Sequence, residues 1–255
     1  MTGAARKVAD VSADRLAALH AGAAETTTLT EGLAIDLAEL AARCVPQLGD
    51  AAIRELRAAA TAGITRRMAL AGRLVHDRLG PQGAAELATH PSDTVRGVAA
   101  FALGARDELG LADLLAAVRP LADDHHFGVR EWAWLAIRPR IAKAPLDAIA
   151  LLADWTADPA ANVRRFASEA TRPRGVWCAH IGLLKAEPAL GLPVLEPLRD
   201  DDARYVQESV GNWLNDAAKT QPAWVRERMD RWSADTTRPV APRIARQALR
   251  SLKPG

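Results

Sequence analysis

Near its middle the chain reads Val129-Arg130-Glu131-Trp132-Ala133. A similar phrase, Val95-Arg96-Gly97-Val98-Ala99, starts 34 residues earlier, and Val163-Arg164-Arg165-Phe166-Ala167 starts 34 residues later. Looser copies start at Val206 and Ile244. A helical unit that recurs at this interval is typical of stacked helix pairs, in which each pair buries its apolar face against its neighbours. We therefore predict a solenoid of antiparallel helix pairs.

The composition favours helices and a balanced surface. Hydrophobic residues make up 49% of the 255 residues but aromatic residues only 4%, and Ala and Leu supply most of the apolar surface. Such residues favour helix over strand, so we expect an all-α protein. The 33 Lys and Arg residues against 31 Asp and Glu leave a net charge of +2, which implies no polyanion partner by itself. Clusters of arginine within the repeats are therefore better evidence for such a partner.

The remaining sequence features predict where the chain is found and how it is divided. Cys44 and Cys178 are isolated, as is typical of reduced cysteines in an intracellular protein. No apolar run is long enough to span a membrane, and we expect a cytoplasmic monomer with no membrane partner. Residues 1–30 are predicted to form an N-terminal arm or helix that is mobile, with a loop at Glu25-Thr26-Thr27-Thr28, and residues 31–255 a single repeat domain.

The repeated helices predict which side chains face inward. From Val129 the apolar arc contains Trp132, Ala133, Ala136 and Ile137, and from Val163 it contains Phe166, Ala167 and Ala170. Small residues at the fifth position of each phrase would let neighbouring helices approach closely. Polar side chains and one tryptophan then face outward: Glu131, Trp134, Arg138, Arg165, Glu169 and Arg172. Arg138-Pro139-Arg140 and Arg172-Pro173-Arg174 follow these arcs, and because proline opposes helix continuation we expect both helices to end there.

Several of these residues have a purely structural interpretation. Trp132, Trp155 and Trp213 lie where core residues are expected. Carboxylates on a polar helix face are usually solvated, and the arginine of the Val-Arg phrase often braces adjacent repeats, so we interpret Arg96 and Arg130 as structural. His125 and His126 lack ligand partners at metal spacing, and we predict no metal and no cofactor.

Two longer segments carry a family resemblance. Residues 163–177, which read VRRFASEATRPRGVW, and residues 205–216, which read YVQESVGNWLND, resemble the signature segments of the AlkC/AlkD superfamily of bacterial DNA alkylation repair glycosylases, and of its AlkC branch in particular. The likeness extends over most of residues 29–252. It implies a HEAT-like repeat solenoid whose concave basic face binds double-stranded DNA containing alkylated bases.

The resemblance also implies an activity and a set of site residues. The family hydrolyses the N-glycosidic bond of cationic alkylated purines such as N3-methyladenine, without flipping the base into a pocket. Carried over position by position, Glu169, Asp216 and Trp177 are the expected catalytic residues. Many AlkC-like members have a further Glu shortly before the Arg-Pro of the preceding repeat, where this chain has Trp134, and its nearest acid is Glu131. The expected contacts to substrate or DNA are Glu131, Trp134, Arg140, Arg164, Arg165, Arg172 and Arg174.

Two alternatives remain open from the sequence. One is a non-catalytic helical-repeat module that binds a protein or a nucleic acid, because a repeat fold does not fix function. The other is a glycosylase for bulkier or different adducts, with Trp134 accommodating the larger lesion.

Overall fold

The computed structural model describes residues 7–252 of the chain. These residues are helical with no strand among them, which confirms the all-α prediction. They belong to two compact units, Met1–Ala136 and Ile137–Gly255. The helices are α1 Ala13–His20, α2 Leu29–Ala34, α3 Leu37–Cys44, α4 Gly49–Ala58, α5 Ile64–Leu87, α6 Asp93–Gly104, α7 Leu111–Ala122, α8 Phe127–Lys143, α9 Pro145–Ala153, α10 Ala161–Ala170, α11 Gly182–Ala186, α12 Leu192–Leu195, α13 Arg204–Ala218, α14 Pro222–Ala234 and α15 Pro242–Leu249.

The second residue of the Val-Arg phrase has the same local structural role in successive copies. Arg96 donates to the carbonyl oxygens of His90 and Pro91, six and five residues before it. Arg130 and Arg164 make the same two bonds to the carbonyls six and five residues before them. In the fourth copy Gln207 donates to Asp201 O, again six residues before it. In these four copies the second residue of the phrase therefore clamps the loop that leads into its own helix.

The first unit is built on close packing of α5 against α6. Gly72 of α5 lies so near α6 that a Cβ there would stand 2.4 Å from the Phe101 backbone. Gly80, with φ 63°, divides α5 into two helical stretches. The threonine run is a loop, as predicted, and Thr26 in it is buried, with its N–H and hydroxyl donating to Asp93 at 3.0 and 2.7 Å.

The second unit is built on α10, α13 and α15, which carry the third, fourth and fifth copies of the phrase. α13 packs against α10 on one side and against α15 on the other. Gly211 permits the second approach, since a Cβ there would lie 2.5 Å from Gln247 Cβ. The longer interval from Val163 to Val206 accommodates an irregular segment after α10 and the short helices α11 and α12.

The inward positions agree with the sequence prediction, but the outward ones do not. The alanines at the fifth position of the phrase are completely buried (Ala99, Ala133, Ala167 and Ala248), and so is Trp213. Trp132 is buried as well, whereas Trp155 is only partly covered. The set expected to face outward is instead largely buried: Trp134, Arg138, Arg165, Glu169 and Arg172. Only Glu131 of that set is partly exposed.

The predicted helix ends at the two Arg-Pro sequences are half right. α10 ends at Ala170, shortly before Pro173, but α8 continues through Pro139 to Lys143. The apolar stripe does not stop at Pro139, because Ile137 and Ile141 on either side of it are fully buried. Burying Ile141 on the next turn offsets the one main-chain hydrogen bond that proline removes. The arginine pairs of the two repeats therefore do not occupy matching helix ends.

Candidate active site

The polar stripe of α10 is covered by a polar stripe of α13, and together they form three rungs. Arg165 lies over the Tyr205 ring at 4.7 Å from its centroid, and its guanidinium is also 3.4 Å from Glu169. Ser209 Oγ donates to Glu169 Oε2 at 2.7 Å. The third rung joins Arg172 to Asp216. We call these three pairs the charged ladder: Arg165–Tyr205, Glu169–Ser209 and Arg172–Asp216.

Arg172 joins the two predicted catalytic carboxylates. Its Nη1 donates to Glu169 Oε1 at 2.6 Å. Its Nε and Nη2 donate to Asp216 Oδ2 at 2.9 and 2.7 Å. Glu169 and Asp216 are each only 3% exposed. The structure thus brings together two acids that are 47 residues apart in sequence, through one buried guanidinium.

The second oxygen of Asp216 has a different kind of partner. Lys219 Nζ donates to Asp216 Oδ1 at 2.9 Å, and the lysine side chain is 45% exposed. An exposed ammonium on a flexible stem is held weakly, because water competes for both partners. Asp216 therefore has one oxygen fixed by a buried arginine and one covered by a replaceable lysine.

Both acids of the ladder stand among positive charges, and this sets the ionisation of Glu169. Burial by itself raises the pKa of the Glu169 carboxyl, but Arg165 and Arg172, with the hydrogen bond from Ser209, outweigh it, so the pKa lies below its usual range. The same pairing raises the pKa of Arg172 despite its burial. Glu169 is accordingly a carboxylate at neutral pH, able to stabilise positive charge but not to donate a proton.

Trp177 lies in the irregular segment after α10 and differs from every other tryptophan. It is 46% exposed, and Val176 beside it is 57% exposed. Among the described residues it is the one non-glycine residue with positive φ, at 60°. Left-handed backbone at a bulky side chain costs about 1–2 kcal/mol and persists only where the surroundings impose it. An exposed indole held in this way is typical of a residue that contacts a ligand.

The other residues predicted to contact substrate or DNA differ in how exposed they are. Arg164 makes a two-pronged ion pair with Asp201, at 2.6 and 3.1 Å, besides clamping its own loop, so its guanidinium is used within the protein. Trp134 is 2% exposed and donates to Glu131 Oε2 at 2.8 Å, so its expected outward position is wrong. A buried indole N–H needs a hydrogen-bond partner, and the Glu131 carboxylate supplies it. Arg140 and Arg174 are partly exposed.

Sequence reasoning missed Ser209, Lys219 and Arg138. Ser209 and Asp216 are seven residues apart on α13, which is two helical turns and hence one face. That spacing, matched by Arg165, Glu169 and Arg172 on α10, was the available signal for two facing stripes. Nothing in the local sequence distinguished Arg138 from a surface arginine.

The described part of the chain contains no helix long and apolar enough to span a membrane. No group of three or more His, Cys, Asp or Glu residues within residues 7–252 is placed to hold a metal ion.

Residues 82–171 match the family model of HEAT repeats, and residues 129–252 match that of the DNA alkylation repair enzymes. The structure is similar to that of the alkylpurine DNA glycosylase AlkC of Pseudomonas fluorescens, solved bound to DNA containing an abasic site analog. The TM-score is 0.61 at 27% identity, over 79% of this chain and 56% of that one.

The resemblance to the AlkC/AlkD superfamily is confirmed. Its HEAT-like fold also appears in AlkD2 of Streptococcus mutans, with a TM-score of 0.56 at 19% identity over 79% of this chain and 88% of that one. Protein YhaZ of Bacillus subtilis strain 168 is 36% identical over 146 residues, which are 57% of this chain and 40% of YhaZ. The chain thus spans 40% of YhaZ and 56% of the AlkC chain. The DNA alkylation repair match includes the whole charged ladder and Trp177.

Proposed function

We propose that this protein is a DNA glycosylase that removes cationic alkylated purines, such as N3-methyladenine, from double-stranded DNA. The observation that carries the proposal is the bridge Glu169–Arg172–Asp216, within the segment that matches the DNA alkylation repair enzymes. Two buried carboxylates in one network, with an exposed indole five residues after Arg172 in the chain, suit a reaction in which a sugar becomes positively charged. The similarity to AlkC, solved on DNA with an abasic site analog, supports DNA as the partner.

The chemistry requires little acid catalysis. Alkylation at a ring nitrogen makes the purine cationic, so the base takes the electrons of the breaking C1′–N bond and leaves neutral. The sugar becomes an oxocarbenium-like cation, and water attacks C1′ and loses a proton to give an abasic site. Fixed carboxylates stabilise this charge. The lowered pKa of Glu169 fits that role, because the group stays ionised.

The different surroundings of the two acids give them different roles. When DNA binds, Lys219 moves to a phosphate and leaves Asp216 Oδ1 to face the sugar and orient the attacking water. Arg172 keeps Oδ2 in place, and Glu169 holds Arg172 and adds negative charge. The Trp177 ring lies against the lesion nucleotide, where its π face attracts the positive charge. Arg140 and Arg174, which are partly exposed, contact phosphates and position the duplex.

Single-turnover release of N3-methyladenine from methylated duplex DNA tests the proposal. We expect Asp216→Asn to slow release by about 100-fold or more, since one group aimed at developing charge is worth that much. Glu169→Gln is expected to slow it as well, by a smaller factor. Glu208→Gln is the matched control, because Glu208 is on α13 beside Ser209 but pairs with Arg204 outside the ladder. Full activity in both ladder variants, with wild-type unfolding curves, would refute the assignment.

A second experiment addresses base flipping. We propose that the base is released from within the helix and not from a pocket, because the acids act on the sugar and need no contact with the base. A purine carrying a bulky cationic alkyl group should then be released within about tenfold of the N3-methyladenine rate. Loss of release with increasing adduct size would indicate a size-limited pocket instead.

One observation favours a non-catalytic nucleic-acid-binding module instead. Both acids are 3% exposed and committed to internal partners, as in a structural ion-pair network. Such a module would bind abasic and methylated duplexes equally and release no base. If the protein is a glycosylase, the wild type should release the base. The Asp216→Asn variant should still bind the duplex but no longer release the base.

A further inference from the structure

Arg138 is the least exposed charged side chain among the described residues, and the proposed chemistry does not use it. It is 1% exposed and lies on α8, one turn before Ile141. Its Nη1 donates to Ala170 O at 2.7 Å and its Nη2 to Arg172 O at 2.6 Å, at the end of α10. Its Nη2 and Nε also donate to Ala179 O, at 3.3 and 3.4 Å. One guanidinium therefore holds both ends of the segment that carries Trp177.

The energetics explain how a buried cation is tolerated at this position. Burial lowers the pKa of Arg138, but a guanidinium stays protonated. The carbonyl of Ala170 is the last of α10 and has no partner within the helix, and a cation is stabilised at this negative end. Ile181 N–H adds a second closure of the same segment by donating to Pro173 O at 3.1 Å.

The segment between these anchors stores backbone strain. Trp177 has φ 60° while its ring remains 46% exposed. Half of the indole remains exposed, so its burial offsets little of that cost, and closure at both ends limits the conformations open to the segment. The anchors on Arg172 and Ala179 lie five residues before Trp177 and two after it.

We infer that Arg138 is a positioning residue that sets the backbone of residues 172–179 and thereby fixes where Trp177 stands relative to Arg172 of the charged ladder. It touches neither base nor sugar and acts through main-chain carbonyls alone. The same carbonyl bond to Arg172 also orients the residue that joins Glu169 and Asp216. The kinetic part of this inference rests on the proposed function, whereas its structural part does not.

Limited trypsin digestion tests the structural part. The segment contains one bond suited to trypsin, Arg174–Gly175, because Arg172 precedes proline. In Arg138→Gln we expect cleavage at this bond to be at least about tenfold faster than in wild type, since the closed form loses four hydrogen bonds. Arg199→Gln is the control: Arg199 is a buried arginine of the same unit that pairs with Glu196 and Asp235. It should leave this cleavage within about twofold of wild type.

The kinetic part needs a readout that general destabilisation does not move. In Arg138→Gln the single-turnover rate of base release should fall by about 100-fold, because misplacing a positioning group by an ångström costs that much. Duplex affinity should stay within about threefold, and Arg138→Lys, which keeps a charged donor, should lie between the two in both cleavage and release. An equal loss of affinity and rate, or no gain from lysine, would make Arg138 an ordinary core residue.

Two outcomes separate the inference from the proposed function. If no protein releases base but Arg138→Gln still opens the Arg174–Gly175 bond, the glycosylase proposal fails and the closure stands. If base is released normally and the bond stays closed in Arg138→Gln, the inference fails. Should both Arg138 variants not fold, hydrogen exchange of the wild type decides: the Ile181 amide must exchange at least about tenfold slower than an open loop amide. Exchange at the open-loop rate overturns the closure.

Discussion

The two faces of α13 pack against neighbouring helices by different chemistry. Towards α10 it forms the charged ladder, with ionised acids and guanidinium groups buried together. Towards α15 it forms what we call the amide ladder, in which Asn212 Oδ1 accepts from Gln247 Nε2 at 2.7 Å and Asn215 Nδ2 donates to Ser251 Oγ at 2.8 Å and Ala248 O at 3.3 Å. The exposed Arg250 also donates from its Nε to Asn215 Oδ1, at 3.2 Å.

The comparison shows that the charged ladder costs more free energy to bury than the amide ladder. Neutral amides need only their hydrogen bonds, whereas each buried ion must also recover several kcal/mol of lost hydration. A buried ion network is often no more stable than apolar side chains of the same volume. Because the amide ladder joins α13 to α15 without a buried ion, the charged ladder is best explained by a use for carboxylates at that place.

The largest expected effect follows from removing the arginine at the centre. Arg172→Met should reduce the free energy of unfolding by about 3–5 kcal/mol, because it leaves two buried carboxylates without their main partner. Asn215→Ala in the amide ladder should cost about 1–3 kcal/mol, the usual penalty for unpaired neutral groups. Urea unfolding at neutral pH measures both.

A rescue variant sharpens this prediction. Glu169→Gln/Arg172→Met/Asp216→Asn removes the uncompensated charges and should recover most of the stability that Arg172→Met loses. Equal costs for Arg172→Met and Asn215→Ala, or no recovery in the triple variant, would show that the two ladders are energetically alike.

The charged ladder also marks the limit of what the sequence could predict. The phrase at Val163 correctly predicted a helix, a buried Phe166 and a close contact at Ala167, since these depend on spacing within one helix. The same reasoning placed Arg165, Glu169 and Arg172 outward, because a helical wheel shows polarity but not the partner that will cover it. Their partners Tyr205, Ser209 and Asp216 lie some 40 residues later in the chain.

The sequence could predict the acids of the site, but not the residues that hold them and the Trp177 segment in place. Glu169, Asp216 and Trp177 came from resemblance to a family, and two of the three meet at Arg172 in the structure. Lys219 and Arg138 act through contacts that the sequence does not encode locally, an exposed ion pair and a set of main-chain carbonyls. Such contacts depend on where loops end, which is the least predictable feature of a chain.

A smaller effect is expected one rung away. Ser209→Ala removes the hydroxyl that donates to ionised Glu169, and should cost about 1.5–3 kcal/mol, as hydrogen bonds to charged groups do. Asn212→Ala is the matched change on the other face of α13, and should cost about 0.5–1.5 kcal/mol as a neutral bond does. Chemical unfolding of the two variants side by side makes the comparison. A greater loss in Asn212→Ala would reverse our ranking of the ladders.

The smallest predicted effect is a difference between the ladders in how the free energy of unfolding depends on pH. Because the folded pKa of Glu169 lies below its unfolded value, the unfolded chain binds more protons, and the contribution of Glu169 is complete above about pH 4.5. It is lost as the pH falls from there through the folded pKa. Other lowered carboxyl pKa values, such as that of Glu31 at about 2, contribute in the same range, so the informative quantity is a difference between variants. Unfolding free energies measured from pH 6 downward should fall less steeply for Glu169→Gln than for wild type, while Asn215→Ala should keep the wild-type slope. Parallel curves for all three proteins would mean that Glu169 gains nothing from Arg165 and Arg172, and the charged ladder would then have no electrostatic distinction from its amide counterpart.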